Sequence, residues 1–218
     1  PKEQNLESNA NIQSYVNGVQ MAIDQFKTDT GVLPIKNSEE STPIFEKYPI
    51  NFEGLVPRYL SEIPENAFSK GGHHIYVLVD VETNPTVKLI ELHVSKNVNS
   101  VQQKVNQYRL DHENKLPILE KVTEGVWKID YKAMMSDVAS ARSPYSSQSL
   151  PLILTSEGKV LVDYSLDIYL KLNERKTNAE GDLRQILVSE SFFVPVHSLP
   201  YKTVDGEPVF DLSPKSEK

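Results

Sequence analysis

The stretch "QFKTDTGVLPI" (residues 25–35) reads as the exit of a helix, and almost the same phrase returns as "QYRLDHENKLPI" at 107–118. Upstream of the first copy, Ile12, Val16, Val19, Ile23 and Phe26 recur at alternating steps of four and three, which places them on one stripe of an α-helix. Gly31 suits the left-handed conformation just past a helix end, and Pro34 cannot continue the hydrogen-bond ladder. In the second copy Val98, Val101, Val105 and Tyr108 form the matching stripe. Asn114 stands two residues before Leu116-Pro117, as Gly31 stands two before Leu33-Pro34, and Asn is the next-best residue for a left-handed cap. One extra residue separates Asp111 from the second cap. Both Gly31 and Asn114 are therefore expected at positive φ, with Phe26 and Tyr108 pointing into equivalent cores.

The repetition runs past the helices. Ile50-Asn51-Phe52 aligns with Ile129-Asp130-Tyr131, and each half then turns to β-branched runs with turn residues between them. "HHIYVLVDV" and "TVKLIELHV" flank "ETNP", while "LPLILTSEGKVLVDYS" reads as two runs around a Ser-Glu-Gly-Lys turn. "LDIYLKLNERK" is read as helix, "VDGEPVF" as an Asp-Gly turn between extended pieces, and "SPKSEK" as a frayed tail. The fold class expected is α+β: a first helix–loop–hairpin module over 1–94, a second over 95–172, and a C-terminal extension over 173–218 packing on them. A two-stranded hairpin is marginal alone, so each should lie on its own helix or share a sheet with its twin.

Composition bounds the function. The chain has 218 residues, 30 acidic against 23 basic side chains, a net charge of -7 and no cysteine. Its charge repels phosphate backbones, and no Lys/Arg run interleaves with aromatics, so no nucleic-acid partner is expected. Without cysteine there is no disulfide, thiolate metal site or cysteine nucleophile. No apolar run approaches the roughly 20 residues that span a bilayer. The chain opens at Pro1 on a polar stretch, which fits a processed secreted or lipid-anchored protein, or a domain cut from a longer chain.

Two resemblances follow from these residues. The helix running into Phe26, Lys27, Asp29, Gly31 and Pro34, with Tyr59-Leu60 through Pro64 and a hairpin behind it, resembles the globular part of type II secretion pseudopilins. The resemblance implies pilin-like modules, here in tandem and without a hydrophobic N-terminal packing helix. The whole chain, with "VLVDVETNPTVKLI", "SPYSSQSLPLILTSEGKVLVDYS" and "FVPVHSLPYKTVDGEPVF", resembles an uncharacterised lipoprotein family of Bacillus and its relatives, some of whose members carry the label of ABC-transporter substrate-binding proteins. That implies the extracytoplasmic face of a Gram-positive cell membrane, a lipid anchor upstream of Pro1, and at most an accessory role in transport. Solute capture is disfavoured on physical grounds, since no alternation of strands with crossover helices is present to build two parallel-sheet lobes.

Chemistry-bearing motifs are few. His73-His74, His93, His112 and His197 lack metal-ligand spacing, and "DHENK" lacks the loop glycine and distant Glu of an EF-hand, so neither a metal nor another cofactor is expected. No Gly-x-Ser-x-Gly elbow, Ser-x-x-Lys pair or full P-loop occurs, so the chain is expected not to be an enzyme. The surface candidates are the loops "RSPYSSQSLP" (142–151) and "VHSLPY" (196–201), which repeat Ser-Leu-Pro beside a tyrosine and nominate Tyr145, His197 and Tyr201 as binding residues. The competing reading has each Ser-Leu-Pro opening an extended segment with Leu150 and Leu199 turned inward. The function these features favour is a non-enzymatic binding or interaction protein whose partner is a protein or small molecule. A pseudopilin-like assembly subunit and, further off, a hydrolase are the alternatives.

Overall fold

The computed structural model describes residues 2–175 and 181–212. The protein is α+β; the described residues hold four α-helices and antiparallel sheets in the order α1 (Lys2–Thr30), β1 (His74–Val79), β2 (Thr86–Glu91), α2 (Leu92–Asp111), β3 (Ile118–Thr123), β4 (Val126–Ile129), β5 (Ser140–Arg142), β6 (Ser149–Thr155), β7 (Val160–Val162), α3 (Ser165–Arg175), α4 (Arg184–Glu190), β8 (Tyr201–Val204) and β9 (Glu207–Phe210). It divides into two compact units, Pro1–Leu92 with Ser191–Val194, and His93–Glu190 with Pro195–Lys218. The frayed tail expected at 213–218 lies outside the described residues.

In the first unit the helical stripe is realised as read: Val16, Val19, Ala22 and Ile23 are buried against Ile50, Leu55, Tyr76, Leu78, Val87 and Leu89. Phe26 joins this core and meets Tyr59 edge to face at 5.3 Å. The helix ends at Thr30, and Gly31 takes φ 76° with its N–H on the Lys27 carbonyl. β1 and β2 pair antiparallel around the predicted turn. The strand stops at Glu91, however, and "LHV" opens α2 instead of extending the hairpin, because Val94 begins the buried stripe continued by Val98, Val101 and Val105.

The second unit repeats this frame at the level of single hydrogen bonds. Asn114 takes φ 64°, and the extra residue before it is accommodated by a second left-handed residue, Glu113 at φ 53°. The Ile35 N–H reaches the Leu33 carbonyl at 3.0 Å, and the Ile118 N–H reaches that of Leu116 at 3.0 Å. Asn51 N–H donates to Pro34 at 2.7 Å, and Asp130 N–H to Pro117 at 2.8 Å. Each helix also grips its hairpin with one glutamine amide. Gln20 accepts from Val87 N–H (2.8 Å) and donates to the Pro85 carbonyl (3.0 Å), while Gln102 accepts from Val160 N–H (2.7 Å) and donates to the Gly158 carbonyl (2.8 Å). A side chain that satisfies both a donor and an acceptor of the neighbouring strand fixes helix against hairpin far better than apolar contact alone.

Three features depart from expectation. Tyr108 stacks on His112 at 3.9 Å, whereas Phe26, half-buried like it, packs against the core of its unit and the Tyr59 ring. "VWKI" forms β4, paired with β3 and β6, so the single bridge Ile35–Ile50 of the first unit has become a full hairpin, Ile118 against Ile129, in the second. Finally, the segment after α4 serves both units in turn. Phe192 O accepts from Leu89 N–H at 2.7 Å and Leu89 O from Val194 N–H at 3.0 Å in the first, and His197 O accepts from Val162 N–H at 2.8 Å in the second. "LDIYLKLNERK" is helical as read through Arg175, Lys176 lying outside the described residues, and the Asp205-Gly206 turn joins β8 to β9 with both residues at positive φ, the geometry a tight hairpin favours.

Candidate functional site

The three residues nominated from the sequence all fall in the second unit, but they do not make one exposed surface. Tyr201 is completely buried (0% exposed), its hydroxyl donating to Asp163 Oδ1 at 3.0 Å and accepting the Tyr164 N–H at 2.8 Å. Tyr145 meets the Tyr164 ring edge to face at 6.0 Å, and the Tyr164 hydroxyl donates to the Val196 carbonyl at 3.0 Å. The half-buried Tyr145 and the buried Tyr201 thus meet around Tyr164, and desolvation lifts both phenols well above their ordinary value. His197 stands apart at φ 52°, its Nε2 3.0 Å from Ser95 Oγ in the first turn of α2. Leu150 is buried and Leu199 packs on the Val126–Ile153–Leu161 cluster, so Ser-Leu-Pro opens core segments in both places. The physical reason is that Pro after Leu forces an extended backbone, which alternates its side chains and turns the leucine inward.

The loop bearing Tyr145 is held by a buried carboxylate. Asp167, 2% exposed in the first turn of α3, accepts from Ser143 Oγ and Ser146 Oγ, each at 2.6 Å. Ser143 Oγ in turn accepts the backbone N–H groups of Tyr145 and Ser146 at 2.9 and 3.1 Å. Desolvation pushes the Asp167 carboxyl up, opposed by the two serine hydroxyls and by Lys171. One hydroxyl donor on each carboxylate oxygen ties the loop to the first turn of α3, so what the arrangement does is staple a loop to a helix.

Space for a ligand opens elsewhere in the same unit. A groove of about 610 Å³ is lined by Thr123, Glu124, Gly125, Trp127, Ser156, Lys202, Phe210 and Leu212. Three hairpin ends build it: the β3–β4 turn, the β6–β7 turn and the β8–β9 pair. Gly125 at φ 76° is the residue the first turn needs, and a Cβ there would come to 3.6 Å from the Leu212 side chain and 3.7 Å from Ser156 Oγ, so bare backbone forms part of the wall. The Ser156 N–H donates to the Gly125 carbonyl at 3.1 Å and ties two of the turns together. Phe210 leans on the buried Tyr201 with ring centroids 4.8 Å apart, which fixes one aromatic wall. Trp127, opposite Lys121 and Leu154 in the ladders, supplies the other.

The groove's charges are already matched within the protein. Lys121 pairs with Glu124, and Lys202 with Asp211 at 3.4 Å. Sequence reasoning missed this site because its walls lie up to 89 positions apart and none carries a catalytic motif. The available signal was Trp127, the chain's only tryptophan, next to a glycine turn. Among the described residues, no group of three or more His, Asp or Glu is placed to hold a metal ion, and no helix is long and apolar enough to cross a membrane.

Residues 12–91 match the YphF family N-terminal domain, a stretch that covers most of the first unit. No curated protein and no solved structure matches the chain.

Proposed function

We propose that this is a non-enzymatic binding protein that engages a soluble ligand or a partner through the groove around Trp127, and that it works at the extracytoplasmic face of the membrane on a lipid anchor carried upstream of Pro1. The observation that carries the reading is the groove itself: a preformed concavity with two aromatic walls, a glycine-backbone wall and internally paired charges, within the size range of small-ligand sites. Aromatic side chains left at an open surface beside neutral hydroxyls serve recognition better than bond making, which calls for an activated nucleophile or an acid–base pair beside the bound substrate. The YphF-type match is consistent with an uncharacterised Bacillus-type family, and the doubled order of helix, loop and hairpin supports describing both units as pilin-like.

The test uses the single tryptophan. In 15N-labelled protein Trp127 gives one indole N–H signal, and titration with a panel of oligosaccharides, peptides, organic acids and nucleotides should move it saturably for at least one class. If no class moves it, the groove is not a binding site and the reading fails. The anchor is tested separately: the natural protein should incorporate an alkynyl fatty acid in its own cells.

A further inference from the structure

Resting on the groove as a binding site, we infer that its ligand is an uncharged oligosaccharide, laid against Trp127 and Phe210 with its hydroxyls on the rim. Three observations narrow the choice. First, the groove offers no net charge for a ligand to answer. Glu124 is paired with Lys121 and Lys202 with Asp211, so the charges at the groove cancel and give a charged ligand no net attraction. Second, the groove is open rather than enclosed, with polar and apolar lining interspersed: the hydroxyls of Thr123 and Ser156 stand beside Trp127, Phe210 and Leu212. A purely apolar ligand would leave those hydroxyls poorly solvated and its own far face in water, whereas a pyranose has an apolar C–H face and a hydroxyl perimeter that fit both.

Third, the adjoining strand is ill suited to capturing a peptide. β3 is the edge of its sheet and leaves Ile118, Leu119 and Val122 exposed, which at first sight invites an added strand. Its ladder to β4, however, is interrupted twice, between Ile118 and Glu120 and again between Lys121 and Thr123. Such bulges twist an edge and break the even run of donors and acceptors that strand addition uses. A second copy of the chain adding its own β3 would meet the same two interruptions on both sides of the seam.

The experiment follows the Trp127 indole signal, with emission in parallel, while cellotetraose, chitotetraose and maltotetraose are added separately to the whole protein. Tetragalacturonate and tetra-alanine serve as the charged and peptide comparators. At least one neutral tetrasaccharide should shift the signal saturably and the comparators should not. Phe210→Leu, which keeps apolar volume against Tyr201 but removes the ring face, should weaken that binding by about tenfold, a larger loss than Lys202→Ala causes. Amide spectra of both variants report whether the fold is kept. No shift with any neutral saccharide overturns the inference. A shift with tetragalacturonate or tetra-alanine alone also overturns it, yet leaves the groove standing as a site, so the two failures are distinguishable. Loss of binding in Lys202→Ala with retention in Phe210→Leu would assign recognition to charge and overturn it as well.

Discussion

The two units share a frame and differ in what hangs on it. Both have a helix that exits through a left-handed cap into Leu-Pro, a glutamine that grips the following hairpin, and an edge completed by the segment after α4. Between frame and hairpin they diverge. The first unit fills the interval with short turns, where Tyr76 donates to Asn66 Oδ1 at 2.7 Å and Gly72 presses on the Asn66 backbone so closely that a Cβ would lie 2.2 Å from it. The second fills it with β5 and the loop stapled by Asp167, and expands one bridge into β3–β4. The groove is walled by the tip of that expanded hairpin, so the candidate site sits where the second unit departs from the first. In a duplicated fold the conserved physics is the backbone hydrogen-bond frame, and new surface arises in the intervals.

If the frames are equivalent, cutting into equivalent core positions should cost in proportion to the carbon removed. Ile23 and Val105 are both fully buried at matching helix positions. Ile23→Ala should destabilise the first unit by roughly 3–4 kcal/mol, and Val105→Ala the second by about 1 kcal/mol less. Amide hydrogen exchange within each unit reads the two separately. A larger loss for Val105→Ala would break the equivalence.

The glutamine grips come next. Gln20→Ala and Gln102→Ala each strand one backbone donor and one acceptor, and each should cost about 1–3 kcal/mol in its own unit. Thermal or chemical unfolding, resolved by the same exchange probes, should give similar values for the pair. A cost confined to one unit would show that the other grip is incidental.

How much of this was legible depends on the range of the interactions. The helix exits could be read because stripe, cap and Leu-Pro lie within a dozen residues, and both turns around "ETNP" and "SEGK" announce themselves through local residue types. β3–β4 hid because no residue of β3 is buried, so "ILEKVT" has no alternation to read. The path of 192–197 past β2 and β7 hid because such pairing is decided by partners far away in the chain. Tyr201 was read as a surface residue because tyrosine beside serine looks the same whether its hydroxyl meets water or, as here, the Asp163 carboxylate.

The caps sharpen the comparison further. Gly31→Val and Asn114→Val should each destabilise by about 1–2 kcal/mol, since a β-branched side chain is strained at φ 76° or 64°. Gly31→Asn should recover most of the loss in the first unit. Denaturation midpoints at constant m-value check this, and a tolerated Asn114→Val would mean that the cap matters only at the first exit.

The smallest effect is the pH response that Asp167 gives the second unit. Burial raises the Asp167 carboxyl in the folded state above the unfolded value of about 3.9, so the folded form binds the proton more readily. Its contribution is therefore fully present below about pH 3.9 and is lost as pH rises through the raised folded value. The stability of the wild type minus that of Asp167→Asn should increase as pH falls from about 7 towards 5. A difference that stays flat or decreases would show that Ser143 and Ser146 outweigh desolvation.

The edge supplied by Phe192–Val194 also sets a timetable for synthesis. Everything else in the first unit has been translated by Leu92, but Leu89 cannot bond to Phe192 or Val194 until a further stretch of about 100 residues has been made. At roughly 5–20 residues per second, β2 waits some 5–20 s with its outer backbone groups open. During that interval the nascent chain presents a bare strand edge, the period in which a chaperone or an export factor has something to hold.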